Sequence, residues 1–445
     1  SVNNGSGNRI IVTFQEQRAK EIYEEYRFFD PKAAYYPAKD ILFYQSDIRG
    51  NVLTAERINA LKMLAEKPSC TIITTFDGLM NPMPEKFIQE VKKVSVGDIL
   101  NLEELTKHLV ELGYEKNYQA ETMGEFSVRG GILDIFPLTE DNPFRIEFWG
   151  DEVDSIRSFD AESQRSIENL EEISIYPACE LVLTAEERQE GIKRILKEAD
   201  KVSAKLRKEM KTEEAHRTKS AAAQIAEEAG ELGISAGLDA YLSYFCEERV
   251  SLLDYFNREN TVIFVDELAR SIERGMVTET EFSESMKQRL EKGYILPGQM
   301  RELFSCKEIL AKMEKMACIS LVALDLKNSH VDIKEKFVID SKTVNPYNNS
   351  FDLLVKDLTR YKKNGYRVIL LSGSRTRAKR LAEDLMAEEL NAFYSEDFDH
   401  EVKPGEIMTG YGKIKKGYEY PLLKFVVISE SDIFGSEKKK KKHHR

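Results

Sequence analysis

The chain has 445 residues, which exceeds one ordinary domain and predicts about three domains. Its net charge of −12 argues against non-specific wrapping of nucleic acid by the whole surface, and no apolar run reaches the roughly 18–20 residues that span a bilayer. The five cysteines have neither metal-knuckle nor CxxC spacing, so we expect a cytoplasmic protein with no metal site and no membrane partner.

Residues 9–90 alternate strand and helix signals. The short apolar runs rich in β-branched residues predict strands, and the segments between them have helical spacing of apolar residues. The predicted strands are Arg9–Phe14, Ala33–Tyr36 and Thr71–Thr75, and the predicted helices are Gln15–Phe29 and Thr54–Leu64. This β-α-β-α order predicts a parallel sheet with helices on its faces, which we assign to residues 1–92.

Residues 93–178 change character. A short helix near Leu102–Leu112 precedes several segments with period-two alternation and glycine turns. This block therefore predicts a mostly antiparallel, β-rich insert.

Residues 179–328 return to helical spacing. Thr184, followed three positions later by Glu187, predicts a capping box at the start of a long helix. Two later apolar runs predict strands at Thr261–Val265 and Ile319–Leu324.

Residues 329–436 alternate again and predict a second, small α/β domain. Its predicted elements are the strands Tyr366–Leu371 and Phe425–Ser429 and the helix Arg375–Glu388. The chain begins without Met and ends in the basic stretch 437–445, so we interpret it as a fragment of a longer protein that ends in a linker. The expected fold class is α/β multidomain, with a parallel-sheet domain interrupted by the β-rich insert.

The run Val262–Glu267 has the form of a Walker B strand, an apolar strand that ends in two carboxylates able to hold Mg²⁺ and orient water. Hydrolysis of ATP also requires a phosphate loop, GxxxxGK[ST], and the sequence contains none. We therefore predict that Asp266 and Glu267 are a relic strand end and that the chain has no catalytic residues.

The segment Phe144–Trp149 alternates apolar and polar side chains. Phe144 and its alternate neighbours mark a core face, and Arg145 and Trp149 share the opposite face. Arg129 lies on a similar strand before two glycines. Trp and Arg often supply binding energy at interfaces, but the pattern alone leaves open that a loop half-buries Trp149 and that Arg145 only solubilises the sheet.

The same block resembles the transcription-repair coupling factors (Mfd) and domain 2 of UvrB. The matching strings are GEFSVRGGILDIFP at Gly124–Pro137, RIEFWGDEVDSIRSFD at Arg145–Asp160, Gln164–Ser166 and Tyr176–Ala178. Further matches to the coupling factors are Tyr36–Asp40 with Tyr44, Glu56–Arg57, Thr74–Thr75 with Gly78–Leu79, Leu252–Phe256, Gly405–Gly417 and Ile428–Gly435. UvrB fits less well, because it has a working phosphate loop and a DESH-type strand end.

The resemblance implies a degenerate helicase-like (P-loop NTPase-like) parallel-sheet domain. Its parts would be domain 1a at 1–92, domain 2 at 93–178, domain 1b at 179–328 and domain 3 at 329–436, with 437–445 leading to a polymerase-interacting domain. We expect the start of the chain to lack the region where a degenerate phosphate loop would lie.

In that family the N-terminal half docks UvrA, and the C-terminal half binds RNA polymerase and moves it along double-stranded DNA with ATP and Mg²⁺. By position in the matching strings, Arg129, Arg145 and Trp149 would contact UvrA. Trp149 stands where the family often has Phe. We expect no cofactor in this chain itself.

Two alternatives remain open. The chain could be a UvrB-like helicase fragment whose phosphate loop lies outside it, or a free-standing adaptor that has no motor. Helicase motifs downstream, a phosphate loop upstream, or stop codons on both sides would separate the three interpretations.

Overall fold

The computed structural model describes residues 7–40, 50–85, 91–231, 237–324 and 331–435. Tyr44 and the expected linker at 437–445 lie outside the described residues. The chain forms two compact units, of which unit 1 consists of Ser1–Ala19 and Lys32–Asp325, and unit 2 of Lys20–Pro31 and Leu326–Arg445.

The helices whose bounds were predicted lie within a few residues of the predicted positions. The described helices are α1 (Glu16–Tyr26), α2 (Gly50–Glu66), α3 (Phe76–Met80), α4 (Leu102–Glu111), α5 (Ala185–Lys208), α6 (Thr212–Ile225), α7 (Leu242–Phe245), α8 (Leu268–Glu291), α9 (Cys306–Met313), α10 (Phe351–Lys363), α11 (Arg375–Ala387) and α12 (Glu430–Phe434). Short 3-10 turns occupy Leu238–Tyr241, Leu252–Tyr255, Arg258–Asn260, Pro297–Arg301 and Pro421–Leu423, and a π-helical turn, Ala226–Glu231, continues α6.

The described strands are β1 (Asn8–Thr13), β2 (Ala33–Tyr36), β3 (Thr71–Thr75), β4 (Lys92–Ser95), β5 (Glu115–Lys116), β6 (Glu125–Arg129), β7 (Ile132–Ile135), β8 (Phe144–Trp149), β9 (Glu152–Phe159), β10 (Ser166–Leu170), β11 (Glu172–Ile175), β12 (Thr261–Asp266), β13 (Ala317–Leu321), β14 (Lys342–Thr343), β15 (Arg367–Ser372), β16 (Asn391–Tyr394), β17 (Glu406–Tyr411), β18 (Tyr418–Tyr420) and β19 (Phe425–Ile428). The strand predicted at Ile319–Leu324 begins and ends earlier than expected, as β13.

Unit 1 contains a parallel sheet with the strand order β13-β12-β1-β3-β2. Its strands come from both sides of the block at 93–178, which confirms a parallel sheet interrupted by an insert. One face buries Ile10, Ile72 and Ile263 completely or nearly so. Helix α8 approaches closely at Gly275, where an added Cβ would lie 2.5 Å from the ring of Phe76.

The insert forms a mixed, mostly antiparallel sheet with the order β10-β9-β8-β7-β6-β5 and a separate antiparallel pair, β11-β4. Two tight hairpins, β6–β7 and β8–β9, turn at Gly130 (φ +61°) and Gly150 (φ +63°), a conformation that favours glycine. The apolar face of the sheet packs on α4 through Leu105 and Leu109. The opposite face of the sheet, which carries Asp134, Arg145 and Trp149, is called the outward face.

Helices α5 and α6 form an antiparallel pair after the insert. The predicted capping box is confirmed, because the Thr184 hydroxyl accepts from the Glu187 backbone and the Glu187 carboxylate accepts from the Thr184 backbone. Ile192 and Ile195 lie on the buried stripe of α5, so one narrow face of a highly charged helix packs.

Unit 2 is a second α/β structure with the strand order β14-β18-β19-β15-β17-β16. Its four strands β19, β15, β17 and β16 are parallel, and β18 and β14 add antiparallel pairs at one edge. The early segment Lys20–Pro31 belongs to this unit, where the Phe28 ring lies 5.3 Å from that of Tyr411. Sequence patterns gave no sign of that association.

A buried ion pair joins the insert to the parallel sheet of unit 1. The Arg57 guanidinium on α2 donates from Nε to Glu180 at 2.6 Å, and Glu180 follows the last strand of the insert. Arg57 also donates from Nη1 to the Pro37 carbonyl at 2.7 Å and lies 4.1 Å above the Tyr36 ring. Burial raises the pKa of Glu180, but Arg57 and Lys39 outweigh it and lower that pKa to about 2.

We predict that Glu180→Gln lowers the free energy of unfolding by about 3–5 kcal/mol, because it leaves the Arg57 charge buried without compensation. Urea unfolding followed by circular dichroism measures the change. The matched control is Glu190→Gln, which removes an exposed pair with Lys193 and should cost less than about 1 kcal/mol.

The same pair predicts a pH dependence. The folded pKa of Glu180 lies below its ordinary value of 4.5, so the stabilisation is complete above about pH 4.5 and is lost as the pH falls toward 2. Glu180→Gln should therefore flatten the acid limb of the stability profile. If Glu180→Gln leaves the loss of stability at low pH unchanged, other carboxylates cause that loss.

Candidate functional site

Strand register brings several charged residues together on the outward face of the insert. Directly paired residues of neighbouring strands point to the same side of a sheet. One such row crosses β6, β7, β8 and β9 as Ser127, Asp134, Arg145 and Arg157. The next row contains Arg129, Ile132, Glu147 and Ser155.

Asp134 and Arg145 form a bidentate ion pair at the centre of this face. The Arg145 guanidinium donates from Nε at 2.7 Å and from Nη2 at 2.8 Å to the two carboxylate oxygens of Asp134. It also lies 4.4 Å above the Phe159 ring and donates to the Gln164 side chain at 2.9 Å. Asp134 is buried and Arg145 is nearly so, and hydrogen bonding to Asp134 raises the pKa of Arg145.

The expected contact of Arg145 with UvrA stays a prediction, and within this chain the guanidinium already has an ion-pair partner. Its carboxylate comes from this chain, because Asp134 lies directly opposite it on β7. Arg129 is half-exposed, and its nearest Nη lies 3.6 Å from the same Asp134. Two guanidinium groups therefore share one carboxylate, which leaves a surplus of positive charge that Arg129 presents to solvent.

The Trp149 side chain is exposed to solvent at the turn of the β8–β9 hairpin. Its surface is 82% exposed, which rules out the alternative that a loop half-buries it. It pairs with Glu152 across the Gly150–Asp151 turn, and a β-bulge between Glu147 and Phe148 precedes it. The structure thus brings Arg129 and Arg145 together on Asp134 and places Trp149 on the same face, two residues beyond Glu147.

The loop Asp160–Ser166 supports this face and was not singled out from sequence for that role. The Asp160 carboxylate accepts from the backbone of Ser163 at 2.7 Å and of Glu162 at 3.1 Å, and these bonds lower its pKa. Gln164 has a positive φ of +60°, which costs energy for a residue other than glycine. Its side-chain oxygen accepts a hydrogen bond from Arg145, so the loop helps to hold the guanidinium in position.

The two carboxylates that end β12 diverge. Asp266 accepts from the Thr13 hydroxyl at 3.0 Å and from Arg18 Nε at 3.1 Å, on the β1 side. Glu267 has a φ of +55°, and its carboxylate accepts from the Ala323 backbone at 2.9 Å, on the β13 side. Because β12 lies between β1 and β13 in the sheet, the two groups do not face one common ligand.

The expectation that the chain start lacks the region where a degenerate phosphate loop would lie stays a prediction. Strand β1 lies parallel beside β12, so a loop after β1 would reach the edge where Asp266 stands. Strand β1 is followed by a two-residue link, Phe14–Gln15, which leads directly into α1. The Arg270 guanidinium lies 4.0 Å from the centre of the Phe14 ring. The link has no glycine that could wrap a phosphate.

Within the described parts of the chain, no three His, Cys, Asp or Glu side chains group as metal ligands. None of the helices described there combines the length and apolar character needed to cross a bilayer.

Comparison with known proteins supports the resemblance found in the sequence. Residues 93–181 match the family model of the UvrB interaction domain. The transcription-repair-coupling factor of Bacillus subtilis is 30% identical over 437 residues, covering 97% of this chain and 36% of that protein. That of Staphylococcus haemolyticus is 28% identical over 430 residues, covering 94% of this chain and 35% of that protein.

UvrB proteins match as well. The UvrABC system protein B of Thermosipho africanus is 27% identical over 453 residues, covering 95% of this chain and 67% of that protein. The chain therefore spans about a third of the length of the coupling factors and about two thirds of this UvrB protein. The matches confirm that it is related to both over nearly its whole length and that it contains a UvrB interaction domain.

We predict that Arg145→Ala lowers the free energy of unfolding by roughly 1–3 kcal/mol, because it leaves the buried Asp134 carboxylate poorly paired. Trp149→Ala should change it by no more than about 0.5 kcal/mol, since that side chain is exposed. Urea unfolding measures both. A double replacement, Asp134→Leu with Arg145→Leu, should recover part of the loss, and an Arg145→Ala variant as stable as the parent would contradict the pairing.

We also predict that roughly millimolar Mg-ATP shifts the midpoint of thermal unfolding by no more than about 1 °C, because a ligand that does not bind gives no stabilisation. Thermal unfolding with and without nucleotide measures this, with a UvrB protein that has an intact phosphate loop as positive control. A shift of several degrees that Asp266→Asn abolishes would show a working nucleotide site.

Proposed function

We propose that this chain serves nucleotide-excision repair by recruiting UvrA through the outward face of its UvrB interaction domain. The observation that carries the proposal is a largely exposed Trp149 on the same sheet face as the Arg129–Asp134–Arg145 cluster. A free tryptophan beside a guanidinium cluster has the composition of an interface hot spot. The relationship to coupling factors and UvrB supports the partner.

Each proposed contact residue has a distinct role. Trp149 fills an apolar pocket of UvrA, and Arg129 meets a carboxylate beside that pocket. Arg145 neutralises Asp134, so that the cluster keeps the net positive charge that Arg129 offers to that carboxylate of UvrA. Binding requires no ATP, because the face is already formed in the chain alone.

We further propose that the parallel sheet of unit 1 is a degenerate helicase-like domain with no ATPase activity. Arg18 forms an ion pair with the Asp266 carboxylate, and the short Phe14–Gln15 link between β1 and α1 has no glycine. In the full-length protein an ATP-dependent motor would act on double-stranded DNA and on RNA polymerase. That motor would use ATP and Mg²⁺ outside this chain.

A UvrB-like helicase fragment is the second candidate function, and the match to two thirds of a UvrB protein favours it. The divergence of Asp266 and Glu267 weighs against it. ATP hydrolysis by the chain would favour the UvrB-like helicase function.

The test is a titration of purified UvrA against the full chain, without nucleotide. Trp149→Ala should weaken binding about 30-fold, the effect of a hot-spot residue worth roughly 2 kcal/mol. Arg129→Ala should weaken it about fivefold and reduce its dependence on salt. The matched control is Tyr118→Ala, an equally exposed aromatic elsewhere on the insert, which should leave the affinity unchanged.

Two results would contradict the proposal. One is a wild-type chain that does not bind UvrA. The other is a set of affinities in which Trp149→Ala and Arg129→Ala match the Tyr118→Ala control.

A further inference from the structure

The segment from Gly97 to Leu100 adds a short extra strand to the insert beside β9. The Leu100 backbone donates to the Asp151 carbonyl at 2.7 Å, and the Val153 backbone donates to the Asp98 carbonyl at 2.9 Å. This pairing sets Ile99 directly opposite Glu152. Glu152 in turn pairs with Trp149 across the hairpin, so Ile99, Glu152 and Trp149 form one row.

Ile99 shares the outward face with Trp149 because paired residues of a sheet point to the same side. It is 73% exposed, whereas its neighbour Leu100 packs against the apolar core of the insert. The two exposed side chains stand two strand spacings apart, about 10 Å. Single exposed apolar residues are common, but these two lie at one end of the sheet on either side of Glu152, close enough for one partner to cover both.

The backbone holds Ile99 in place. The Asp98 carboxylate accepts from the Ser95 backbone at 2.8 Å, which closes a tight turn at Gly97. Hydrogen bonds to Asp151 and Val153 fix the other side of the segment. A partner would therefore pay little conformational entropy to bury this side chain.

The row continues the surface that carries Arg129. The hairpins β6–β7 and β8–β9 turn at the same end of the sheet, with Arg129 at the end of β6 and Trp149 at the end of β8. From β6 to the segment at Ile99 the surface crosses four strand spacings, about 19 Å. Arg129 lies at one side of it, Trp149 lies near the middle, and Ile99 lies at the other side.

We propose that the protein which contacts Trp149 also buries Ile99, so that the docking surface extends from the β8–β9 hairpin onto residues 97–100. The proposal rests on the proposed function and names UvrA as the occupant. UvrA then presents an acidic group beside an apolar surface wide enough to cover both side chains.

The experiment measures the affinity of purified UvrA for the full chain carrying Ile99→Ser. We expect about tenfold weaker binding, the effect of losing roughly 1.4 kcal/mol. The matched control is Ile167→Ser, because Ile167 is also exposed but lies on β10, beside the opposite end of β9. It should leave the affinity within about twofold of the parent. Both variants should keep the parent's thermal midpoint, since neither side chain is buried.

The outcomes separate the two proposals. Binding that weakens with Trp149→Ala but not with Ile99→Ser overturns this inference and leaves the proposed function standing. A parent chain that does not bind UvrA overturns both. Weaker binding with Ile99→Ser, unchanged binding with Ile167→Ser and equal thermal midpoints support the extended surface.

Discussion

The buried Arg57–Glu180 pair is the constraint on which the presentation of the insert depends. The insert lies in the sequence between β3 and α5. If only these two chain connections joined it to the parallel sheet, it would be free to move about them. Glu180 meets Arg57 inside the protein, and Tyr176 donates a hydrogen bond to Glu66 on the same helix. These contacts hold the β-rich sheet to the parallel sheet, so the outward face is offered by a rigid scaffold rather than by a loop.

Each parallel sheet ends in a carboxylate that the chain neutralises itself. In unit 1, Arg18 and Thr13 bind Asp266. In unit 2, Glu430 accepts from Arg377 at 2.6 Å and from the Gly373 backbone at 3.1 Å. The carboxyl edge is where open α/β sheets usually bind ligands. Internal ion pairs therefore occupy both of these carboxylates.

Local patterns predicted the elements, and strand register decided the site. The strands Ala33–Tyr36 and Thr71–Thr75 and the Thr184 capping box depend on neighbouring residues, so the sequence locates them. Alternation also placed Arg145 and Trp149 on one face. The partner of Arg145 depends on which β7 residue faces β8, and alternation does not specify that. For the same reason, no pattern showed that residues 97–100 pair with β9 or that Lys20–Pro31 packs in unit 2.

Hydrogen exchange of the chain with and without UvrA tests the central claim most directly, because it reports which backbone segments a partner covers. When UvrA is present, the account predicts slower amide exchange in this chain at the hairpin turns 130–131 and 150–151 and at residues 97–100. The exchange rates in unit 2 should not change. Protection confined to unit 2 or to the α5–α6 pair, with those turns unchanged, would contradict it.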